Sequence, residues 1–120
     1  MLRGVRGAIT VSANQAELLQ AAVRQLIEVL IRSNGITVDK IVSVFFTITP
    51  DLTALNPAKA ARQVFPEWST VPMLCSQEPM IENMPIFCIR ILIHWDSPYN
   101  HILPIPAYLG EARRLRPDLF

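Results

Sequence analysis

Apolar and polar positions fall into one alternating stretch, one long helical repeat, and then several short apolar runs divided by prolines. From Leu2 to Val11 the odd positions Val5, Ile9 and Val11 are apolar, while the even positions hold Gly4, Arg6, Ala8 and Thr10. That period of two predicts a strand with two unlike faces. Arg6 then has Gly4 and Ala8 as same-side neighbours, which leaves room for something to reach its guanidinium. An exposed Arg on a sheet face fits the pattern equally well.

The repeat changes after Ser12. Leu19, Val23, Leu26 and Leu30 recur at helical spacing, joined by Ala22, Ile27 and Ile31, and Glu17, Gln20, Arg24, Gln25, Glu28 and Arg32 take the other side. Asn14 as N-cap with Glu17 three residues on predicts a capping box. Glu28 and Arg32 are spaced as an i,i+4 pair, and Asn34-Gly35 supplies the stop. This helix should cover a sheet and has no expected part in a site.

Ile41 to Thr49 is apolar at nearly every position, which predicts a strand buried on both faces, ended by Pro50-Asp51. Asn56-Pro57 is a helix-start signal. The short helix after it puts Lys59 and Arg62 on one face at i,i+3, a face that is simply solvated unless other cations converge on it. Val71 to Cys75 is a short extended piece, and Pro79 biases Glu78 toward extended backbone. Ile86 to Asp96 reads as a strand with Phe87, Ile89, Ile91, Ile93 and Trp95 on one face and Ile86, Cys88, Arg90, Leu92 and His94 on the other. An unpaired buried guanidinium would cost several kcal/mol, so Arg90 requires an anion, either Glu78 or Asp118 from the chain or a ligand. The last segment, Ile102 to Phe120, follows a Pro-rich connection, reads as an edge element or irregular structure, and carries Tyr108 and the cluster Arg113, Arg114 and Arg116.

A βαβ start followed mostly by strands predicts one α+β domain over residues 1–120, with a mixed sheet of about five strands under one long helix. Composition adds the need for neighbours. The chain has 120 residues, 51% of them hydrophobic, and a mean hydropathy of +0.30. A domain this small buries only about two-thirds of its unfolded surface, so other subunits or a membrane must take the excess. The longest apolar run, Pro85 to Trp95, is interrupted by Arg90 and is too short to span a bilayer. Oligomerisation is the expectation.

Charge and cysteine content narrow the classes. A net charge of +1 without a basic stripe argues against nucleic acid. The N-terminus lacks the apolar core of a signal peptide, and Cys75, Cys88, His94 and His101 do not sit at zinc-ligand spacing. A reduced, cytoplasmic, metal-free protein is expected. Nine of the eleven basic residues are Arg, whose planar fork suits carboxylates.

Five collinear segments are recognisable together: Arg3-Gly4-Val5-Arg6-Gly7-Ala8; Thr49-Pro50-Asp51-Leu52 with Pro57-Ala58-Lys59-Ala60-Ala61-Arg62; Val71 to Glu78; Cys88-Ile89-Arg90; and Tyr108-Leu109 with Leu115-Arg116-Pro117-Asp118-Leu119. In order and spacing they resemble the monofunctional trimeric chorismate mutases of the α/β-barrel class. The resemblance implies a homotrimer with a pseudo-α/β-barrel core, clefts between subunits, and the cofactor-free rearrangement of the chorismate dianion to prephenate in phenylalanine and tyrosine biosynthesis. It also implies roles. Arg6 and Tyr108 bind a substrate carboxylate, and Arg90 faces the ether oxygen of the breaking C–O bond. Glu78 and Cys75 meet the ring hydroxyl. Lys59, Arg62 and Arg116 surround the cleft mouth, and Met73, Leu74 and Leu115 contact substrate. One chain is expected to give the 56–62 and 73–78 segments, and its neighbour Arg6, Arg90 and Tyr108. Asn56 and Met73-Leu74 depart from the family's pattern, the first replacing a larger apolar side chain and the second a smaller or polar pair. The rival readings are a trimeric imine-deaminase-like protein and a catalytically silent trimer that binds a metabolite in a similar interfacial cleft.

Overall fold

Five strands form one mixed sheet in the order β3-β2-β4-β1-β5. Along the chain they are β1 (Leu2–Thr10), β2 (Ile41–Ile48), β3 (Met73–Gln77), β4 (Cys88–Asp96) and β5 (Ala107–Leu109), with helices α1 (Ala16–Asn34) and α2 (Pro57–Val64) between them. This computed structural model describes residues 1–99 and 101–119; Asn100 and Phe120, the end of the last predicted segment, lie outside the described residues. β4 is the centre, antiparallel to β1 on one side and β2 on the other, while β3 and β5 run parallel to their neighbours as the two edges.

Burial explains the layering. Leu19, Ala22, Val23, Leu26, Ile27 and Leu30 form the buried stripe of α1, packed against Val5, Ile9, Val44, Phe46, Ile89, Ile91 and Ile93 from one face of the sheet. Each such side chain, fully buried, contributes about 1.5–3 kcal/mol, so this face is the core. β1 approaches α1 closely because Gly7 has no side chain: a Cβ there would lie 2.9 Å from Leu30 Cδ1 and 3.0 Å from Leu26 Cδ1.

The other face of the sheet is largely open in the protomer: neither α1 nor α2 covers it, and the turn Gly110–Leu115 packs on one part, burying Ala8, Cys88, Tyr108 and Ala112. The molecule is a slab with extents of 37 × 34 × 21 Å, the thickness of one helix layer on one sheet. β2 is therefore not buried on both faces as its composition predicts. Val44 and Phe46 point into the core, whereas Val42 and Phe45 are 51% and 40% exposed.

Local signals are reassigned in two places. Asn14 does not cap α1; Gln15 takes that position without a side-chain bond. Asn14 instead bonds Thr53 Oγ1 and accepts from the Thr53 and Ala54 amides, pinning the loop before α2. Glu28 pairs with Arg24 at 3.7 Å, the turn before it, and not with Arg32. The α1 stop follows the sequence: Gly35 is left-handed at φ 63° and its N–H donates to the Ile31 carbonyl. Asn34 then donates to the Ile105 carbonyl and accepts from the Ile105 amide, tying the Pro-rich connection to the helix end and so placing β5.

Candidate active site

The open face is ordered by strand register. One rung runs Tyr108, Ala8, Arg90, Thr47 and Ser76 across all five strands, and the next carries Arg6, Leu92, Phe45 and Leu74. Because strand side chains alternate, Arg6 and Arg90 share this face with Tyr108 on the neighbouring strand. Ala8, directly between Arg90 and Tyr108, keeps the surface low, as the small neighbours of Arg6 suggest. These residues, with Glu78, Leu115 and Arg116, line a cleft of about 260 Å³.

Glu78 follows β3 on the same alternation as Leu74 and Ser76. Its N–H donates to the Ile48 carbonyl at 2.7 Å, which fixes its backbone to β2. Its carboxylate accepts from Thr47 Oγ1 at 2.5 Å and lies 3.5 Å from Arg90 Nε. Of the two protein anions open to Arg90, Glu78 is thus the one that reaches it. Asp118 goes elsewhere, bound at two points by Arg116 Nε and Nη2 at 3.1 and 2.9 Å. The hydrogen bonds from Arg116 hold the Asp118 carboxyl below the usual range, and Asp118 first, with Tyr108 a lesser cause, raises the Arg116 guanidinium.

Beneath Arg90, two residues back on β4, Cys88 is buried in a small cluster with Ala8, Tyr108 and Ala112. Burial pushes its thiol up to about 11, against the opposing pull of the Arg90 charge. The entry to β4 is latched by the Thr49-Pro50-Asp51 segment: Cys88 N–H donates to Thr49 Oγ1, and the Phe87 N–H donates to the Asp51 carboxylate. Phe87 sits at φ 49°, a conformation that side chains with a Cβ rarely adopt.

The structure divides the sequence-predicted residues. Arg6, Glu78, Arg90, Tyr108, Leu115 and Arg116 come together in the one cleft. Glu78 therefore stands with Arg90 in the same chain, not on a neighbour's side of the site as the sequence reading has it. Cys75 does not join them. It alternates with Ser76 and so faces the helices, where it is partly buried beside Met73 against the core, and burial raises its thiol. Lys59 and Arg62 are exposed on α2, and Leu74 is 68% exposed on the edge strand β3. These residues form a second margin, at the opposite edge of the sheet from Tyr108. Phe45 and Thr47 line the cleft and were not expected there. The signal for them was the row Ser43, Phe45, Thr47, whose two polar members mark a face unlike that of Val44 and Phe46.

Three guanidinium groups and one carboxylate on a floor of Leu92 and Phe45 suit a small ligand with more than one negative charge and an apolar body. Among the described residues no group of three or more His, Cys, Asp or Glu is placed to hold a metal ion. No helix of the described residues is long and apolar enough to cross a membrane.

Comparison with known proteins agrees with this chemistry. The family model for chorismate mutase type I matches residues 2–119. Chorismate mutase AroH of Thermus thermophilus is 40% identical over 99% of this chain and 97% of its own. Its counterpart in Bacillus subtilis is 36% identical over 99% and 93%. A solved chorismate mutase from Clostridium thermocellum superposes with a TM-score of 0.87 at 32% identity, covering 93% of this chain and 98% of that one.

Proposed function

The chain belongs to the chorismate mutase type I family and is an isomerase of that kind, and from that premise we propose how and where it converts chorismate to prephenate. The observation that carries the proposal is the convergence of Arg6, Arg90 and Arg116 with Glu78 on the open sheet face.

The reaction is a [3,3] rearrangement within one molecule: a C–O bond breaks, a C–C bond forms, and no atom is gained or lost. Two aids suffice. One is to hold the extended dianion in its chair-like reactive conformer. Arg6 and Tyr108 bind one carboxylate, and the cations at the cleft mouth, Arg116 with Lys59 and Arg62, attract the charge. The other is to stabilise the negative charge that grows on the ether oxygen, which a fixed guanidinium does because its dipoles are already oriented. Arg90 takes that role. Glu78, near the ring, favours the partial positive charge left behind, and Cys75 is a hydrogen-bonding group with Met73, Leu74 and Leu115 as walls.

In this reading residues 1–120 form one domain, and the protein works in the cytoplasm as a homotrimer. The open face supports the assembly: Phe45 and Leu74 are 40% and 68% exposed, and a second sheet laid over them would remove both from water. Cys75, Met73, Leu74, Lys59 and Arg62 lie at the far edge of the sheet from Tyr108. A neighbour's β3–α2 margin set over the cleft would bring them to Arg90. The test is a direct assay that follows loss of chorismate absorbance and appearance of prephenate. Turnover without added metal or cofactor is expected. Saturable binding of chorismate without turnover would contradict the proposal and favour a sensor.

A further inference from the structure

We propose that Thr47 is a positioning residue, whose hydroxyl holds Glu78 by Oε1 and keeps that carboxylate from closing onto the Arg90 guanidinium. The inference rests on the reading that Glu78 and Arg90 both act on chorismate.

The chain itself contains a comparison. Arg116 and Asp118 form the two-point pair that a guanidinium and a carboxylate adopt when nothing restrains them, at 2.9 and 3.1 Å. Glu78 and Arg90 do not. Their nearest approach, Oε1 to Nε, is 3.5 Å, longer than a charge-assisted hydrogen bond. The same Oε1 accepts from Thr47 Oγ1 at 2.5 Å. Thr47 is directly opposite Arg90 in the β2–β4 register, so its hydroxyl stands beside the pair on a rigid strand. The backbone of Glu78 is already fixed by its bond to the Ile48 carbonyl, and Pro79 keeps it extended. Only the carboxylate torsions remain free, and the Thr47 bond removes that freedom.

This restraint matters because Arg90 has two possible anions. A fork-to-fork Glu78–Arg90 pair would fill the donors that the ether oxygen needs and cancel the charge that should meet it. Held by Thr47, Glu78 makes its nearest approach at Nε and not at the Nη end of Arg90. Oε2, the oxygen that Thr47 does not engage, is left for the ring end of the substrate.

Steady-state kinetics on folded Thr47→Val, Thr47→Ser and Glu78→Ala test this. Valine keeps the β-branched shape and loses the donor; serine keeps the donor. Thr47→Val should lower kcat by about tenfold to a hundredfold, the worth of a hydrogen bond to a charged group, with KM within about threefold. Thr47→Ser should recover to within about threefold of the parent. In a Glu78→Ala background Thr47→Val should add less than about twofold, because residues acting through one another are not additive. Full kcat in Thr47→Val while Glu78→Ala is impaired overturns the Thr47 role alone, as does a Thr47→Ser no better than Thr47→Val, or a fully additive double variant. Full kcat in Glu78→Ala overturns the reading of the site itself. Circular dichroism checks folding. If Thr47→Val and Thr47→Ala both fail to fold, Thr47 is structural and the proposal falls.

Discussion

Arg90 and Glu78 face each other across the cleft as an open pair, Nε and Oε1 3.5 Å apart, with their side chains 36% and 19% exposed. A half-solvated pair at that distance contributes little to folding, and a ligand anion can compete for the guanidinium. The pair belongs to the site more than to the fold.

Glu78→Ala should therefore separate stability from activity. Its urea-unfolding free energy should stay within about 1 kcal/mol of the parent, while kcat falls by at least about tenfold. Equal losses in both would make Glu78 a structural residue.

The open sheet face implies an oligomer. Sedimentation at micromolar concentration should give about three times the 13.5 kDa chain mass. Leu74 is 68% exposed in the protomer, so Leu74→Glu should disturb the assembly without removing a core contact. It should lower trimer content and activity together and leave the far-UV spectrum unchanged. A monodisperse, fully active monomer would contradict an interfacial site.

Gly7 sets the distance between β1 and α1. Its added Cβ would meet Leu30 and Leu26 at 2.9 and 3.0 Å, so Gly7→Ala should destabilise by about 1–3 kcal/mol, the usual cost of overpacking. Thermal unfolding measures it. Because Arg6 is next in sequence and on the other face, a displaced β1 should also raise KM.

Cys88 makes an alkaline prediction. Burial, opposed by the Arg90 charge, sets its folded value at about 11 from an ordinary 9.0. An acid with a raised folded pKa contributes fully below its unfolded value, and that contribution fades as pH rises toward the folded one. The loss between pH 9 and 11 is about 3 kcal/mol at most. In Cys88→Ala the decline in unfolding free energy over that range should be shallower than in the parent. In the native protein at pH 8, thiol reagents should leave Cys88 unmodified. Parallel declines in parent and variant would show that Cys88 keeps no raised value.

Much of this was legible in the sequence because the signals were local. The period-two row placed Arg6, and the apolar flanks of Arg90 required an anion nearby. Gly35 marked the end of α1, and Pro79 fixed the backbone of Glu78. What escaped depended on pairing partners distant in the chain. Asn14 has a capping residue's chemistry, yet its side chain is engaged by Thr53 and Ala54, 39 and 40 residues away. Phe45 and Thr47 looked like part of a doubly buried strand, because composition cannot tell a face covered by a helix from one left for a neighbour. The resemblance pairs Cys75 with Glu78, while their odd spacing along the extended chain sets them on opposite faces of one protomer.

The central claim is that Arg90 stabilises charge that appears only as the bond breaks. Removing such a donor lowers kcat, whereas removing a carboxylate anchor shared by ground and transition states mainly raises KM. The most direct measurement is the kcat of folded, assembled Arg90→Ala beside Arg6→Ala. The account predicts a fall of about a hundredfold to a thousandfold in kcat for Arg90→Ala, partial recovery in Arg90→Lys, which keeps the charge without the fork, and a change mostly in KM for Arg6→Ala. Near-parental kcat in a folded Arg90→Ala would contradict it.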